Sequence, residues 1–201
     1  MQVMDDSVKQ ALAKWPNVPH CYGWLTLDAR GAFRMRDDAA QAAQSPGDII
    51  RHSALLGFIY RNYACDERGA WYFQNGPQRV YVELQAAPFI ARTDPAQEFV
   101  AHDGSALGDV THAYLTNDGR LLLQTSDRLA MLDDRDLAQC LLQLRIDGQP
   151  VDDSRLLSWL DTPSARLQLH LHNTTLELAW VDAETLEQRF GFVARPGRLA
   201  T

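Results

Sequence analysis

Two tyrosines, an arginine and two further polar residues alternate with apolar residues over 71–84. This alternation, broken at Asn75-Gly76-Pro77-Gln78, predicts a β-hairpin that pairs Gln74 with Arg79 and Tyr72 with Tyr81. Trp71, Phe73, Val80 and Val82 are then expected to face the core. The outer face is predicted to carry Tyr72, Gln74, Arg79, Tyr81 and Glu83.

The composition of this outer face is typical of a binding surface. Tyrosines supply contact area at low entropic cost, and arginine supplies directed hydrogen-bond donors. The alternatives are a cross-strand tyrosine pair beside a solvated Arg–Glu pair, or burial under another element.

A second group of candidate residues lies on a hairpin near the C-terminus. A two-residue loop at Asn173-Thr174 would place Leu171 opposite Leu176, so that His170 faces Glu177 and shares a face with His172. Two imidazoles and a carboxylate on one sheet face can bind a divalent metal, although such residues also form ordinary polar strand faces. The preferred interpretation includes no metal and no other cofactor, with His170, His172 and Glu177 kept as the alternative.

Common catalytic motifs are missing from the sequence. It contains no Gly-x-Ser-x-Gly elbow, Walker-type loop, dinucleotide fingerprint or His-Glu-x-x-His pair. His20 and Cys21 are adjacent, but neighbours on an extended chain point apart. Asp37-Asp38, Asp133-Asp134 and Asp152-Asp153 lie where helices can begin, so capping explains them. No catalytic residue is assigned, and an enzyme is not the favoured interpretation.

Composition and charge restrict the class of protein. The 201 residues carry 19 basic and 26 acidic side chains, a formal charge of −7. This balance argues against broad nucleic-acid binding, which needs a basic surface. No apolar run is long enough for a membrane span, and the acidic start is unlike a signal peptide. Three widely spaced cysteines fit a reducing compartment, so we expect a cytoplasmic protein.

The hydrophobic pattern predicts an α+β fold, with mostly antiparallel sheet and a few short helices. Val8, Ala11, Leu12 and Trp15 form one helical stripe that Pro16 ends, and Asp5 or Asp6 can cap its start. Residues 37–47 are expected to form a loop, followed by a helix that begins at Ser45-Pro46 and runs to Tyr63.

The two halves of the chain share a pattern. Residues 24–37 match 114–127 at five of fourteen positions, which are Leu25/Leu115, Thr26/Thr116, Asp28/Asp118, Arg30/Arg120 and Asp37/Asp127. Turn residues converge in unrelated hairpins, so chance similarity is the alternative. The sequence predicts a first subdomain at 1–104 with an N-terminal helix and a second subdomain at 105–201, with internal duplication as one interpretation of the shared pattern.

Two stretches resemble a proteobacterial family of uncharacterised proteins. They are Lys14-Trp-Pro-Asn-Val-Pro19 with Cys21-Tyr-Gly-Trp-Leu25, and Trp71-Tyr-Phe-Gln-Asn-Gly-Pro-Gln-Arg-Val-Tyr-Val-Glu-Leu84. The resemblance covers roughly the first two thirds of the chain. That family is a domain of unknown function, so it implies no activity.

A second bacterial family of unknown function is similar in the order of three motifs. Here they are Gly69-Ala-Trp-Tyr72, Val80-Tyr-Val-Glu83 and Ala87-Pro-Phe89. Members of that family resemble two tandem α+β repeats with a likeness to pleckstrin-homology modules. The resemblance implies a repeat and a signalling role.

From the residues we expect a non-enzymatic cytoplasmic module that binds an unidentified small ligand or protein, with no nucleic acid or membrane partner. One alternative is a metal-dependent enzyme or hydrolase at the His170 hairpin. The other is a structural subunit of a homo-oligomer, such as a homodimer with the outer tyrosines in a two-fold interface.

Overall fold

Two β-sheets organise the residues that this computed structural model describes, which are 4–172 and 174–197. The described residues divide into two units. Unit 1 comprises those up to Pro88 together with those from Gly191 onward, and unit 2 spans Phe89–Phe190. The division therefore falls before the predicted boundary at residue 104, and the chain rejoins unit 1 near its end.

Unit 1 contains a six-stranded sheet and three helices. The strands are β1 (Cys21–Leu27), β2 (Phe33–Met35), β3 (Asp48–Ile49), β4 (Tyr63–Cys65), β5 (Trp71–Asn75) and β6 (Gln78–Leu84), and the helices are α1 (Asp6–Lys14), α2 (Asp38–Ala42) and α3 (Ser53–Arg61). The sheet order is β3-β2-β1-β6-β5-β4, in which only the β1–β6 pair is parallel.

Unit 2 contains a nine-stranded sheet. Its elements are β7 (Phe89–Asp94), β8 (Glu98–Ala101), β9 (His112–Thr116), β10 (Leu121–Gln124), β11 (Leu129–Leu132), α4 (Asp134–Leu141), β12 (Leu144–Ile146), β13 (Gln149–Pro150), α5 (Asp153–Asp161), β14 (Leu167–His170), β15 (Thr175–Val181), a 3-10 helix (Ala183–Thr185) and α6 (Leu186–Phe190). The order is β13-β12-β14-β15-β9-β10-β11-β7-β8. The pairs β15–β9 and β11–β7 are parallel. The chain is thus an α+β protein, as predicted.

The same strand arrangement occurs in both sheets. In unit 1, the antiparallel run β3-β2-β1 joins β6-β5-β4 through the parallel β1–β6 pair. In unit 2, the antiparallel run β11-β10-β9 joins β15-β14-β12 through the parallel β15–β9 pair. Unit 2 adds β13 at one edge and β7-β8 at the other.

Local sequence signals placed several helices well. The first helix ends at Lys14, before Trp15-Pro16, as the stripe and the proline predict. Asp5 occupies its N-cap position, yet the Asp5 carboxylate instead accepts hydrogen bonds from Arg61 and Asn62.

The acidic doublets cap helices, as expected. Asp37, Asp133 and Asp152 each accept a backbone N–H from the first turn of α2, α4 and α5, respectively.

The predicted helix start at Ser45 is wrong. Residues 38–42 form α2 inside the expected loop, and the longer helix begins at Ser53, where the His52 imidazole accepts the Leu55 N–H. Gly47 has φ +75°, and a Cβ there would lie 2.3 Å from the Met35 carbonyl oxygen. This close approach lets Asp48 pair with Met35 in the sheet, so the segment extends instead of coiling.

No helix in the described ranges combines the length and apolar character that a membrane crossing requires.

Candidate functional site

The predicted hairpin of β5 and β6 has the expected register. Tyr72 pairs with Tyr81, and Gln74 pairs with Arg79. The turn at Gly76-Pro77 is tight, because Asn75 and Gln78 are themselves paired. Local alternation therefore predicted correctly which residues share a face.

The expectation that this face is open to solvent is wrong for three of its five residues. The solvent-accessible fractions of Tyr72, Tyr81 and Gln74 are only 6%, 2% and 1%. For Tyr81, the cause is the parallel pairing of β1 with β6, which brings Tyr22 flat against it with ring centroids 4.7 Å apart. Since Tyr81 is covered within one chain, it is not available for the two-fold interface that the oligomer alternative requires.

Gln74 and Glu83 take structural roles away from the other three residues. The buried Gln74 amide donates to the Gly76 carbonyl at 2.9 Å and so holds the turn. Glu83 forms an ion pair with Arg36, with 2.6 Å between Oε2 and Nη1. Neither residue lines the cavity described next.

Tyr72, Arg79 and Tyr81 line a cavity of about 830 Å³ in unit 1. We call it the tyrosine–arginine cavity. Its wall also contains Pro19, His20, Tyr22, Cys65, Asp66, Glu67 and Arg68. Sequence analysis thus found three of the ten residues and missed the rest, which come from the start of β1 and from the turn between β4 and β5.

Stacked and tilted rings form one side of the cavity. Besides the Tyr22–Tyr81 stack, Tyr72 lies tilted against Tyr81 at 5.7 Å, and His20 meets Tyr81 edge-on at the same distance. The Arg79 guanidinium lies 4.5 Å from the centre of the Tyr72 ring, and that of Arg68 lies 5.7 Å from the centre of Tyr81. Such cation–π contacts hold a guanidinium in a fixed orientation, and both guanidinium groups also form a hydrogen bond with Tyr81.

Asp66 anchors the polar part of the cavity lining, next to Tyr81. Its Oδ1 accepts the backbone N–H groups of Arg68 and Ala70 at 2.9 and 3.0 Å, which fixes the turn. Its Oδ2 accepts from the Tyr81 hydroxyl and from the Arg68 guanidinium, both at 3.0 Å. Sequence analysis overlooked this Asp66-Glu67-Arg68-Gly69 turn, although an aspartate three residues before a glycine is a recognisable turn signal.

The electrostatics of the cavity follow from these contacts. Burial of Asp66 favours its neutral form, but hydrogen bonds from Ala70, Arg68 and Tyr81 outweigh this effect and lower the pKa of the carboxyl. Burial, together with the charges of Arg79 and Arg68, lowers the pKa of His20, which therefore stays neutral at pH 7. Burial raises the pKa of Tyr81, and burial with the nearby Asp66 raises that of Cys65 to about 11.

The two arginines of the cavity differ in their partners. Arg68 is paired with Asp66, whose carboxylate is already occupied by four donors. Arg79 is half-buried and forms no ion pair with any carboxylate in the described ranges. A half-buried guanidinium without an anionic partner is suited to bind an anion that enters the cavity.

A family comparison places the chain among proteins without an assigned activity. Residues 4–197 match the DUF2944 family model, whose description reads "Protein of unknown function (DUF2946)". The chain belongs to this family. No curated protein matches it.

One solved structure similar to this DUF2944 chain is a DUF1285 family protein from Silicibacter pomeroyi DSS-3. The two sequences are 12% identical, the TM-score is 0.48, and the match covers 93% of this chain and 92% of the other.

The second candidate group does not assemble as predicted. The hairpin of β14 and β15 pairs Leu169 with Leu176 and His170 with Thr175, two residues away from the predicted register. Glu177 therefore lies opposite Gln168, and its carboxylate pairs with Arg166 at 2.7 Å. Of the predicted loop residues, Asn173 lies outside the described residues.

His170 and His172 line a different cavity, of about 660 Å³, in unit 2, and Glu177 is not part of that lining. Within the described ranges, no three His, Cys, Asp or Glu side chains are grouped as a metal ion would require. The register shift explains why the predicted trio does not converge. A slip of two residues keeps the leucines on the same face, so hydrophobic alternation cannot distinguish the two registers.

Proposed function

We propose that this chain is a non-enzymatic binding module, and that its ligand is a small anion that carries a planar ring. The tyrosine–arginine cavity is the binding site in this proposal. The single observation that carries it is the Arg79 guanidinium, which lines the cavity, lies over Tyr72 and forms no ion pair with a described carboxylate.

The anion is inferred from the donors that face the cavity. Arg79 offers a planar set of N–H groups that matches a carboxylate or a phosphate, and partial burial strengthens such a bond. His20, neutral at pH 7 because of its lowered pKa, can donate or accept one further hydrogen bond. The Asp66 carboxylate does not compete for Arg79, because its oxygens already accept bonds from Ala70, Arg68 and Tyr81.

The planar ring is inferred from the other lining side chains. Tyr22, Tyr72 and Tyr81 form a connected group of rings at 4.7 and 5.7 Å. The half-buried Tyr22 leaves the most ring surface of the three for a ligand. Aromatic surfaces favour stacked or edge-on contact with another ring. A volume of about 830 Å³ is sufficient for a ligand of drug size.

Phenyl phosphate is a suitable probe because it combines a ring with a dianion. Calorimetric titration of the full chain is expected to detect binding, with weaker binding of inorganic phosphate and none of benzylamine. Replacing Arg79 with Ala is expected to weaken the affinity for phenyl phosphate by at least about tenfold, because a charge-assisted bond is lost. Arg79→Lys keeps the positive charge but lacks the paired N–H donors of the planar guanidinium. This variant should therefore bind phenyl phosphate more tightly than Arg79→Ala but more weakly than the original protein.

Arg155 provides a matched control, because it is an exposed arginine on α5 that does not line the cavity. Arg155→Ala should leave the affinity for phenyl phosphate within about twofold of the original protein, since a surface charge contributes little. The proposal is wrong if benzylamine binds as well as phenyl phosphate, or if Arg79→Ala and Arg155→Ala have equal effects.

We also infer an internal duplication, which rests on the matched strand orders and on the paired positions 25/115 and 26/116. Leu25, Leu115, Thr26 and Thr116 are all buried in equivalent central strands, which gives the sequence match a packing reason. The cytoplasmic location stays a prediction from the spacing of the cysteines.

A further inference from the structure

The C-terminal part of unit 1 runs directly behind the cavity wall. Gly191–Ala194, which we call the strap, follows α6 of unit 2 without an intervening residue. The Val193 N–H donates to the Gly69 carbonyl at 2.9 Å, and the Leu84 N–H donates to the Ala194 carbonyl at 2.8 Å. Val193 also forms a parallel bridge with Ala70.

Packing between the strap and the wall is tight. Gly69 has φ +81°, and a Cβ on it would lie 2.0 Å from the Gly191 carbonyl oxygen. Val193 packs against the buried cluster of Ala70, Tyr72 and Tyr81. Two members of that cluster, Tyr72 and Tyr81, also line the cavity. The strap therefore packs against two side chains that also line the cavity.

The strap is also connected to the Asp66 carboxylate through Ala70. Ala70 forms the bridge with Val193, and the Ala70 N–H donates to Asp66 at 3.0 Å. Asp66 in turn holds the Arg68 guanidinium and the Tyr81 hydroxyl. A continuous chain of bonds thus connects the strap to the polar wall.

We propose that the strap is a positioning element for the binding site, and that its docking and release regulate ligand binding. This inference rests on the proposed function. With the strap docked, the turn at Asp66–Gly69 and the rings of Tyr72 and Tyr81 are held in the binding arrangement. With the strap released, the wall loses its support and the affinity falls. By linkage, a bound ligand must favour docking of the strap by the same factor.

The strap begins at Gly191, which directly follows the last residue of α6 in the sequence. Gly191 has φ +67°, a left-handed conformation that glycine adopts without strain, so the chain can turn at this point.

A first experiment tests the positioning role without any ligand. Cys65 is one residue before Asp66, and its thiol donates to the Asp66 carbonyl oxygen at 3.4 Å. Its alkylation by iodoacetamide, followed by peptide mass spectrometry, reports on the wall. Val193→Pro removes the N–H that bonds to Gly69, and it is expected to speed alkylation of Cys65 by about fivefold. Arg195→Ala, an exposed neighbour, should change the rate less than about twofold.

A milder variant covers the case in which Val193→Pro does not fold. Val193→Ala keeps the N–H but removes the side chain that packs on Tyr72 and Tyr81, and it should speed alkylation by about twofold to threefold. Circular dichroism checks that each variant is folded. An alkylation rate of Cys65 that is unchanged in every folded Val193 variant overturns the positioning role.

A second experiment tests the regulation. Val193→Pro, or Val193→Ala if the proline variant is unfolded, should weaken phenyl phosphate binding by about tenfold or threefold respectively, with Arg195→Ala unaffected. Phenyl phosphate should slow hydrogen exchange of the Val193 amide in the original protein. If phenyl phosphate binds and the Val193 variants bind it equally well, the regulation is wrong. If phenyl phosphate does not bind the original protein, the proposed function and the regulation both fail, while the Cys65 rates still decide whether the strap positions the wall.

Discussion

The two units use the same strand arrangement but treat a tyrosine on the central strand differently. In unit 1, Tyr22 of β1 stacks on Tyr81 of β6, and a cavity lies beside both rings. In unit 2, Tyr114 of β9 lies beside Ala179 of β15, and Phe190 of α6 meets its ring edge-on at 4.9 Å. The Arg189 guanidinium lies over the same ring at 5.3 Å.

The difference arises from the segment that follows the last strand of each arrangement. After β15, the chain forms a 3-10 helix and α6, whose side chains contact Tyr114. After β6, only residues 85–88 precede β7, and no helix follows the strand at this point. The two units therefore bury their tyrosines with different partners. Tyr81 is covered by Tyr22 of the same sheet, whereas Tyr114 is covered by Phe190 of the helix that follows the last strand.

The largest expected effect concerns the glycines of two turns with the same backbone conformation. Gly69 in unit 1 and Gly119 in unit 2 both have φ +81°. Gly69→Ala should lower the free energy of unfolding by about 3–4 kcal/mol, because strain adds to the clash with the Gly191 carbonyl. A Cβ added at Gly119 has no other atom within 4 Å. Gly119→Ala should therefore lower the free energy of unfolding by only about 1 kcal/mol, from backbone strain. Urea unfolding measures both values, and equal losses would show that the strap yields freely.

The second prediction separates the units by pH. His102 in unit 2 is buried; burial lowers its pKa to about 4, with Asp103 opposing and Arg128 reinforcing the shift. Its ring nitrogen accepts the Ile90 N–H. In the unfolded chain the His102 imidazole binds a proton near pH 6.5, whereas in the folded protein it does so only near pH 4. The stability that His102 contributes is therefore full above pH 6.5 and is lost as pH falls towards 4.

The expected loss is about 3 kcal/mol over that range. Hydrogen exchange resolved by residue should show unit 2 weakening between pH 6.5 and 4. In unit 1, His20 adds a loss of the same sign below pH 6.5, because its pKa is also lowered. The lowered pKa of Asp66 adds a further loss below the ordinary carboxyl value, as pH falls through the folded pKa. His102→Gln should remove the pH dependence of the stability of unit 2 between pH 6.5 and 4. If that pH dependence remains in the variant, groups other than His102 cause it.

The third prediction exposes the covered tyrosine of unit 2. Phe190→Ala removes the edge-on contact with Tyr114 and should cost about 1–2 kcal/mol in the free energy of unfolding. The variant should also increase solvent quenching of Tyr114, as measured against Phe190→Leu, which keeps an apolar side chain. Unchanged quenching in Phe190→Ala would mean that α6 is not what covers the ring.

The smallest expected effect concerns the arginines that lie over tyrosine rings in the two units. Arg79→Ala removes one cation–π contact, and Arg189→Ala removes two, with Tyr114 and Phe190. Each variant should change the free energy of unfolding by less than about 1 kcal/mol. Thermal unfolding measures both. Only Arg79→Ala should also weaken phenyl phosphate binding, because Arg189 does not line the tyrosine–arginine cavity. A large loss of stability in Arg79→Ala would indicate a structural role for that side chain.

The sequence by itself determined features whose interacting residues are close along the chain. The stripe and Pro16 set the end of α1, the aspartates set the helix starts, and alternation set the pairing of Tyr72 with Tyr81. These choices depend on bonds between residues a few positions apart, so the local pattern contains the required information. The same locality explains the error at β14 and β15, because two registers that differ by two residues bury the same leucines.

Only the tertiary structure decided whether the tyrosine face is open, and what completes the cavity. Tyr22 covers Tyr81 because β1 and β6 pair in parallel. Parallel strands are joined by a long crossover connection, so the local sequence pattern does not specify which strand will pair with β6. Val193 reaches Gly69 from the far end of the chain. Such contacts between distant residues depend on which surfaces the whole chain can bury together. The spacing of residues within a single segment contains no information about them.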